Sequence, residues 1–266
     1  MKWQASSLTL LARCYNRGPM QYFVPDIRVA ADLPPQTAAE DKFGGLPWGL
    51  KSADWPKCSE CGTSLSLLAQ LLHHPVRLDL GREGRALLVF HCNHDPGMCS
   101  TWEAGSGANA CFVHEPESLV DGLATLPVDA PVLEHEARVV RWLDRDDGLP
   151  SSLFASFFDE QRYFGLPRET IKSVSSITRL GGVPSWIQSP AEAPSDGWVF
   201  VGQLDSTYSF ITPPEATASW ISADAEQWEG RTHCGTGPNF GDGGIAYLFL
   251  RPTAPLPEGR FFWQCG

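Results

Sequence analysis

The sequence predicts an α+β protein, predominantly antiparallel β, internally duplicated into pseudo-two-fold related halves with a helical segment connecting them. Three observations predict it. A phrase recurs: Lys42-Phe43-Gly44-Gly45-Leu46-Pro47-Trp48 is echoed by Arg179-Leu180-Gly181-Gly182-Val183-Pro184-Ser185-Trp186, and apolar runs ending Gln70-Leu71 and Gln203-Leu204 follow the two copies. Self-similarity of this kind sets an architecture before any single motif is read. The apolar runs are short and divided by turn formers, with 25 glycines and 22 prolines in 266 residues, which suits strands joined by tight connections. Helical patterning concentrates between the two copies.

The elements follow in order. Residues 1–42 form a lead-in packed on the domain, with an apolar run at Leu8 to Leu11 and a strand-like run from Met20 to Val29. Pro34-Pro35 and the Ala/Glu/Asp segment after them read as a linker. The first half spans 43–115. Ser64 to Leu72 is a short helix or a buried strand, which periodicity does not decide at that length, whereas Arg85 to His91 is continuous, apolar and short enough for a strand. In the connector, 116–177, Ala137 to Leu143 reads as a strand and Asp146-Asp147-Gly148 as its turn. Ser151-Ser152 then caps a helix that carries Leu153, Phe154, Phe157 and Phe158 on one face. The second half spans 178–266, with strands at Trp198 to Leu204, Ile245 to Leu250 and Arg260 to Gln264. It also holds a longer insertion with Pro213-Pro214, Trp220, Trp228 and the glycine-rich stretch 235–244.

Acidic residues outnumber basic ones, 31 to 20, for a formal charge of −11. That opposes a phosphate backbone, where cationic groups supply most of the affinity, and favours a basic protein partner through steering. No apolar stretch reaches the roughly 20 residues of a membrane span. The amino terminus, with Arg13 inside its apolar stretch, makes a poor secretory leader. A cytoplasmic protein with reduced thiols is the expectation.

Four of the eight cysteines are spaced like metal ligands. Cys58 and Cys61 make a C-x2-C knuckle; Cys92 follows the strand ending at Phe90, and Cys99 lies seven residues further. Two short loops can each supply two thiolates to a tetrahedral zinc, with His91 and His94 as substitutes. The structural alternative is a set of packed core thiols; a redox dithiol is the third reading, although no βαβ pattern surrounds the knuckle. Nothing in the spacing leaves a coordination position open, so the expected zinc is structural. Cys14, Cys111, Cys234 and Cys265 have no partner at ligand spacing.

The paired glycines Gly44, Gly45, Gly181 and Gly182 have two readings. They form tight turns under Trp48 and Trp186, or a groove floor that lets a ligand backbone come close. Gln70 and Gln203 sit at matching places in apolar runs, so each either satisfies its amide internally or reads a ligand's main chain. Catalytic motifs fail on inspection. His135-Glu136 lacks the second zincin histidine, since Val139 stands there, and Asp144 to Gly148 lacks calcium-loop spacing. Gly235-Thr236-Gly237 runs into Pro238 rather than a helix. A hydrolytic enzyme with a site in a cleft beside the glycine-rich insertion, around Asp242, is the alternative, and it needs a base within reach of Cys234 or a serine.

Together these residues resemble a known family. Gly44-Gly45-Leu46-Pro47-Trp48, the C-x2-C, Leu68-Ala69-Gln70-Leu71 and Phe90-His91-Cys92 are similar to the conserved domain of programmed cell death protein two. Thr178 to Gln188, Gly241-Asp242-Gly243-Gly244 and Trp263-Gln264-Cys265 resemble the related bacterial YwqG-like proteins. The resemblance implies a mostly β, duplicated, non-enzymatic module that binds a protein or peptide. Eukaryotic relatives escort a basic ribosomal protein; bacterial relatives are presumed immunity proteins near toxin systems. In the second copy Leu250 is read at the place of Cys92, which confines any metal to the first. Neither the oligomeric state nor the partner's identity follows from the sequence.

Overall fold

Pairing decides the segment that periodicity leaves open: Ser66–Leu72 is a strand, buried along nearly its whole length. The computed structural model describes residues 19–30, 33–94, 98–129, 131, 133–195, 197–211, 226–228, 231–234, 237–253 and 255–266. The strands in chain order are β1 (Pro19–Val29), β2 (Lys42–Phe43), β3 (Ser66–Leu72), β4 (Ala86–His91), β5 (Asn109–His114), β6 (Ala137–Pro150), β7 (Arg179–Gly181), β8 (Val199–Asp205), β9 (Tyr208–Ile211), β10 (Glu226–Trp228), β11 (Arg231–Cys234), β12 (Ile245–Arg251) and β13 (Glu258–Gln264).

Ten of them close an antiparallel barrel in the order β1-β6-β2-β3-β4-β5-β13-β12-β8-β7, with β7 returning to β1. Closure is not anticipated from the sequence; it abolishes the unpaired edges that an open sheet of this length would present. The remaining strands form a small sheet, β10-β11-β9, inside the insertion. Pro213-Pro214, Trp220 and residues 235–236 of that insertion lie outside the described residues, as do Leu8 to Leu11 and Cys14. So do the side chains of Trp228 and Cys234. Within the described lead-in, Pro19–Val29 is a wall strand of the barrel.

Strand alternation sorts the core into an inside and two outside patches. Leu87, Val89, Ala246, Leu248 and Phe261 point inward with Leu68, Leu71 and Leu204. Outward residues of β4, Leu88 and Phe90, join Trp55, Leu65 and three cysteines in a second cluster. Outward residues of β12 and β13, Tyr247, Phe249 and Phe262, join Phe157, Tyr163 and Trp186 in a third. The same face of the wall is thus covered by a cysteine-bearing loop in one place and by the helical connector in the other.

That connector differs in detail from the expectation. Ser151–Phe158 is a 3-10 helix with no side-chain cap, and the capping residue is Asp159, whose carboxylate accepts the Arg162 N–H at the start of α1 (Glu160–Phe164); α2 is Arg168–Lys172. Phe157 is buried against Tyr163 and Trp186 while its neighbours are half-covered. β6 runs on to Pro150 through the predicted turn at Asp146-Asp147-Gly148, because β1 pairs with it throughout and a register shift absorbs the glycine. A strand with one outward polar side has no hydrophobic alternation to mark its end.

The ladders also revise one alignment. Gln70 stands opposite Leu88 and Gln203 opposite Tyr247, so counting along the strands puts Arg251, not Leu250, at the place of Cys92. Lys42 pairs with Gln70 and Arg179 with Gln203 in the same way.

Candidate metal centre and the paired turns

The knuckle is built by a short hairpin. Lys57 and Ser64 bridge its ends, Cys58 N–H donates to the Thr63 carbonyl at 2.9 Å, and Gly62 N–H donates to the Cys58 carbonyl at 2.9 Å. Gly62 takes φ 78°, a left-handed position that lets the chain turn back within four residues. Cys92 leaves the end of β4 with its N–H on the Ala108 carbonyl at 2.8 Å, and Cys99 sits in the loop that leads into β5. Trp55 roofs the hydrophobic side, its indole N–H donating to the Leu65 carbonyl at 2.8 Å.

The four sulfurs of Cys58, Cys61, Cys92 and Cys99 lie within 4.8 Å of one another, and those of Cys61 and Cys92 are 3.6 Å apart. Zinc–sulfur bonds of about 2.3 Å at tetrahedral angles place sulfurs about 3.8 Å apart, so this set fits a tetrahedral metal after small adjustments. All four positions come from the chain, which is the closed arrangement of a structural site. Cys58, Cys92 and Cys99 are buried and Cys61 faces solvent. Burial pushes the Cys92 thiol up to about 11 and the Cys99 thiol upward as well, whereas the hydrogen bond with Thr63 brings Cys61 down to about 6. A cation entering the cluster therefore has to displace protons from the buried thiols. His91 is directed elsewhere: its Nε2 lies 3.4 Å from Glu134, and its ring meets Phe240 edge to face.

The support for the knuckle has little sequence signature. Asp129 accepts from both the N–H and the hydroxyl of Ser64 at 2.8 Å, tying the connector to the hairpin. The Glu60 carboxylate accepts the Ser100 N–H at 2.9 Å, and Ser59 bonds the carbonyls of Ser106 and Gly107. Only their polarity, within a few residues of a ligand, could have drawn attention to Glu60 and Ser59; nothing marks Asp129.

The paired phrases make paired turns. Gly44, Gly45, Gly181 and Gly182 all have φ between 64° and 78°. A Cβ on Gly44 would run into the His135 carbonyl, and one on Gly181 would press on the Gln21 carbonyl at 3.2 Å. Gly181 admits the backbone of β1 and Gly44 that of the segment leading into β6, while Gly45 and Gly182 face the Glu136 and Tyr22 side chains. The fully buried glutamines hold the turns in place. Gln70 Oε1 accepts the Trp48 N–H at 2.8 Å while its amide donates to the Glu40 carbonyl at 3.1 Å. Gln203 Oε1 accepts the Ser185 N–H at 2.9 Å while its amide donates to the Ser175 and Ile177 carbonyls at 3.2 and 3.0 Å. Both carboxamides are engaged by the protein's own backbone. Trp48 is half-buried and pairs with Leu123, and Trp186 is buried with its indole N–H on the Phe157 carbonyl at 2.6 Å. Asp242 is exposed, its carbonyl accepting the N–H of Gly266. The structure brings the four cysteines together. The glycines, tryptophans and glutamines fall into two turns, one in each half of the sequence.

Buried cations flank the turns. Lys42 lies 3.4 Å from Glu136, and Arg179 lies 3.2 Å from Asp147 and over the Tyr22 ring. Desolvation lowers the Lys42 and Arg179 pKa values and raises that of Asp147.

Compared with known proteins, the chain matches no family model, no curated protein and no solved structure. Among the described residues, no helix is long and apolar enough to cross a membrane.

Proposed function

We propose that the protein is a non-enzymatic binding module of the YwqG-like kind, chaperone-like or immunity-protein-like. It takes a basic protein or peptide in the cytoplasm, and a structural zinc on Cys58, Cys61, Cys92 and Cys99 braces it. The halves are read as copies of one unit; the matching registers of Lys42–Gln70 and Arg179–Gln203 and the matching glutamine bonds support that reading.

The observation that carries the binding role is a run of uncovered apolar side chains on the connector. Val120, Leu123, Leu126, Val128 and Leu133 are each 39% or more exposed, and Leu123 pairs with Trp48. Concentrated exposed apolar surface marks interaction sites more often than solvent faces. Asp121 and Asp129 lie among these residues and are themselves exposed, and with the net charge of −11 they favour a cationic partner.

The test is retention of a partner by the native chain and by a Leu123→Asp/Val128→Asp variant. The native chain is expected to hold a basic protein with salt-sensitive affinity, and the folded variant to lose it. A native chain that retains nothing at natural expression, or a variant that binds equally well, sinks the proposal.

A further inference from the structure

The loop that follows Cys99 sits at the barrel joint with the fewest ladder positions. β5 and β13 share a single ladder position, Glu258 opposite Phe112, where β4–β5 registers six and β12–β13 seven. Beside that position is a cleft lined by Asn109, Ala110, Cys111, Gly259, Arg260 and Phe261.

At this place the loop stands in for strand pairing. Trp263 N–H donates to the Trp102 carbonyl at 3.3 Å, its indole N–H donates to Thr101 Oγ1 at 3.2 Å, and the two indoles meet edge to face at 6.2 Å. On the other side the buried Asn109 amide donates to the carbonyls of Thr101 and Glu103 at 2.8 and 3.0 Å. The loop therefore ties β5 to β13. Its other anchors lie on the cysteine knuckle: Cys99 itself, the Glu60 carboxylate on Ser100 N–H, and the Ser59 bonds to Ser106 and Gly107. Most of these are hydrogen bonds at the surface, which water can replace, and Trp102 is 43% exposed. Among these knuckle-side anchors, a bond from Cys99 to a metal shared with Cys58 and Cys61 would be the one that water does not substitute.

We infer that metal at the four cysteines controls the joint between β5 and β13. With metal bound, the loop is pinned and the two strands are tied through Trp102. When metal leaves, the loop lets go and the joint opens while the other ladders hold. Regions held by few ladder bonds open at lower free energy than the rest of a fold, so a local opening here need not unfold the barrel.

The inference rests on the metal reading of the cysteines, and the experiment separates the two. The full-length chain is loaded with zinc, its metal content measured, and its backbone hydrogen exchange followed by mass spectrometry before and after chelation. Segments 99–114 and 258–264 are expected to exchange about tenfold faster or more once zinc is removed, while 66–72 and 199–205 hold their protection. Trp102→Ala, which keeps every thiol, is expected to retain stoichiometric zinc and still exchange faster at 258–264. Absence of stoichiometric zinc overturns the metal reading and this inference with it. Zinc that binds and leaves without changing exchange at 258–264 overturns the inference alone. Chelation that exposes 66–72 and 199–205 as fully as 258–264 overturns the local opening, and unchanged exchange at 258–264 in the zinc-loaded Trp102→Ala protein overturns the loop's tie to the joint.

Discussion

Replacing Gln203 with leucine tests whether the repeated glutamines are braces or ligand readers. Leucine fills much the same volume, so the change leaves little cavity and acts through hydrogen bonds. Gln203 makes three: one from Ser185 N–H and two to the carbonyls of Ser175 and Ile177. Gln70 makes two, with Trp48 N–H and the Glu40 carbonyl. Each backbone group left without a partner costs about 1–3 kcal/mol when buried. The glutamines are buried, but their partners are only partly so, which places each loss near the lower end. Gln203→Leu should therefore cost about 3 kcal/mol and Gln70→Leu about 2 kcal/mol. Urea unfolding, followed by both far-UV circular dichroism and tryptophan fluorescence, reads the difference once the two signals are shown to coincide. A cost below about 1 kcal/mol for either variant would refute the bracing role. Loss of partner binding at unchanged stability would return the glutamines to ligand recognition.

Three further outcomes are expected. Cys58→Ser or Cys99→Ser should abolish stoichiometric metal and lower the melting temperature, whereas Cys111→Ser, outside the cluster, should keep the metal; equal metal content in all three would remove the site. Because burial raises the Cys92 and Cys99 thiols above the ordinary range, protons compete with metal, and affinity should fall steadily as pH drops from about 8 to 6. Competition against a chelator of known affinity measures this, and a flat profile would contradict it. Gly44→Ala should cost more than Gly148→Ala. Both have φ near 65°, at about 1–2 kcal/mol for a left-handed residue, but only Gly44 would also press a Cβ on the His135 carbonyl, whereas nothing lies within 4 Å of Gly148. Equal costs in thermal or chemical unfolding would show that the close approach is not what requires glycine.

Legibility in the sequence followed the reach of each interaction. β4, β8 and β12 can be read because continuous apolar runs need only local context, and the cysteine cluster can be read because two pairs of ligands have short internal spacings. β3 stays ambiguous until a partner is known: Leu67, Leu68 and Leu71 suit a helix face as well as a strand. The far half of β6 is illegible because Asp144, Arg145 and Asp146 are exposed, and pairing with β1 alone makes them a strand. Closure of the barrel depends on β7 meeting β1 and β5 meeting β13, contacts between segments more than a hundred residues apart that leave no local pattern. Asp129 joins the knuckle for the same reason only in three dimensions.

The place of β1 in the wall has a consequence for how the chain is made. Its two neighbours are β6 and β7, so the first described strand cannot find a partner until the ribosome has released residues 137–150. The meander β2-β3-β4-β5, by contrast, is complete by His114 and carries all four clustered cysteines. A metal taken up by those cysteines would therefore fix that meander while β1 still waits. Such long-range closure is slow by its topology, and a nascent chain with an unpaired apolar strand is exposed to aggregation meanwhile. A meander stapled early in this way would give β6 a fixed edge to dock on through β2, and β1 a template soon afterwards.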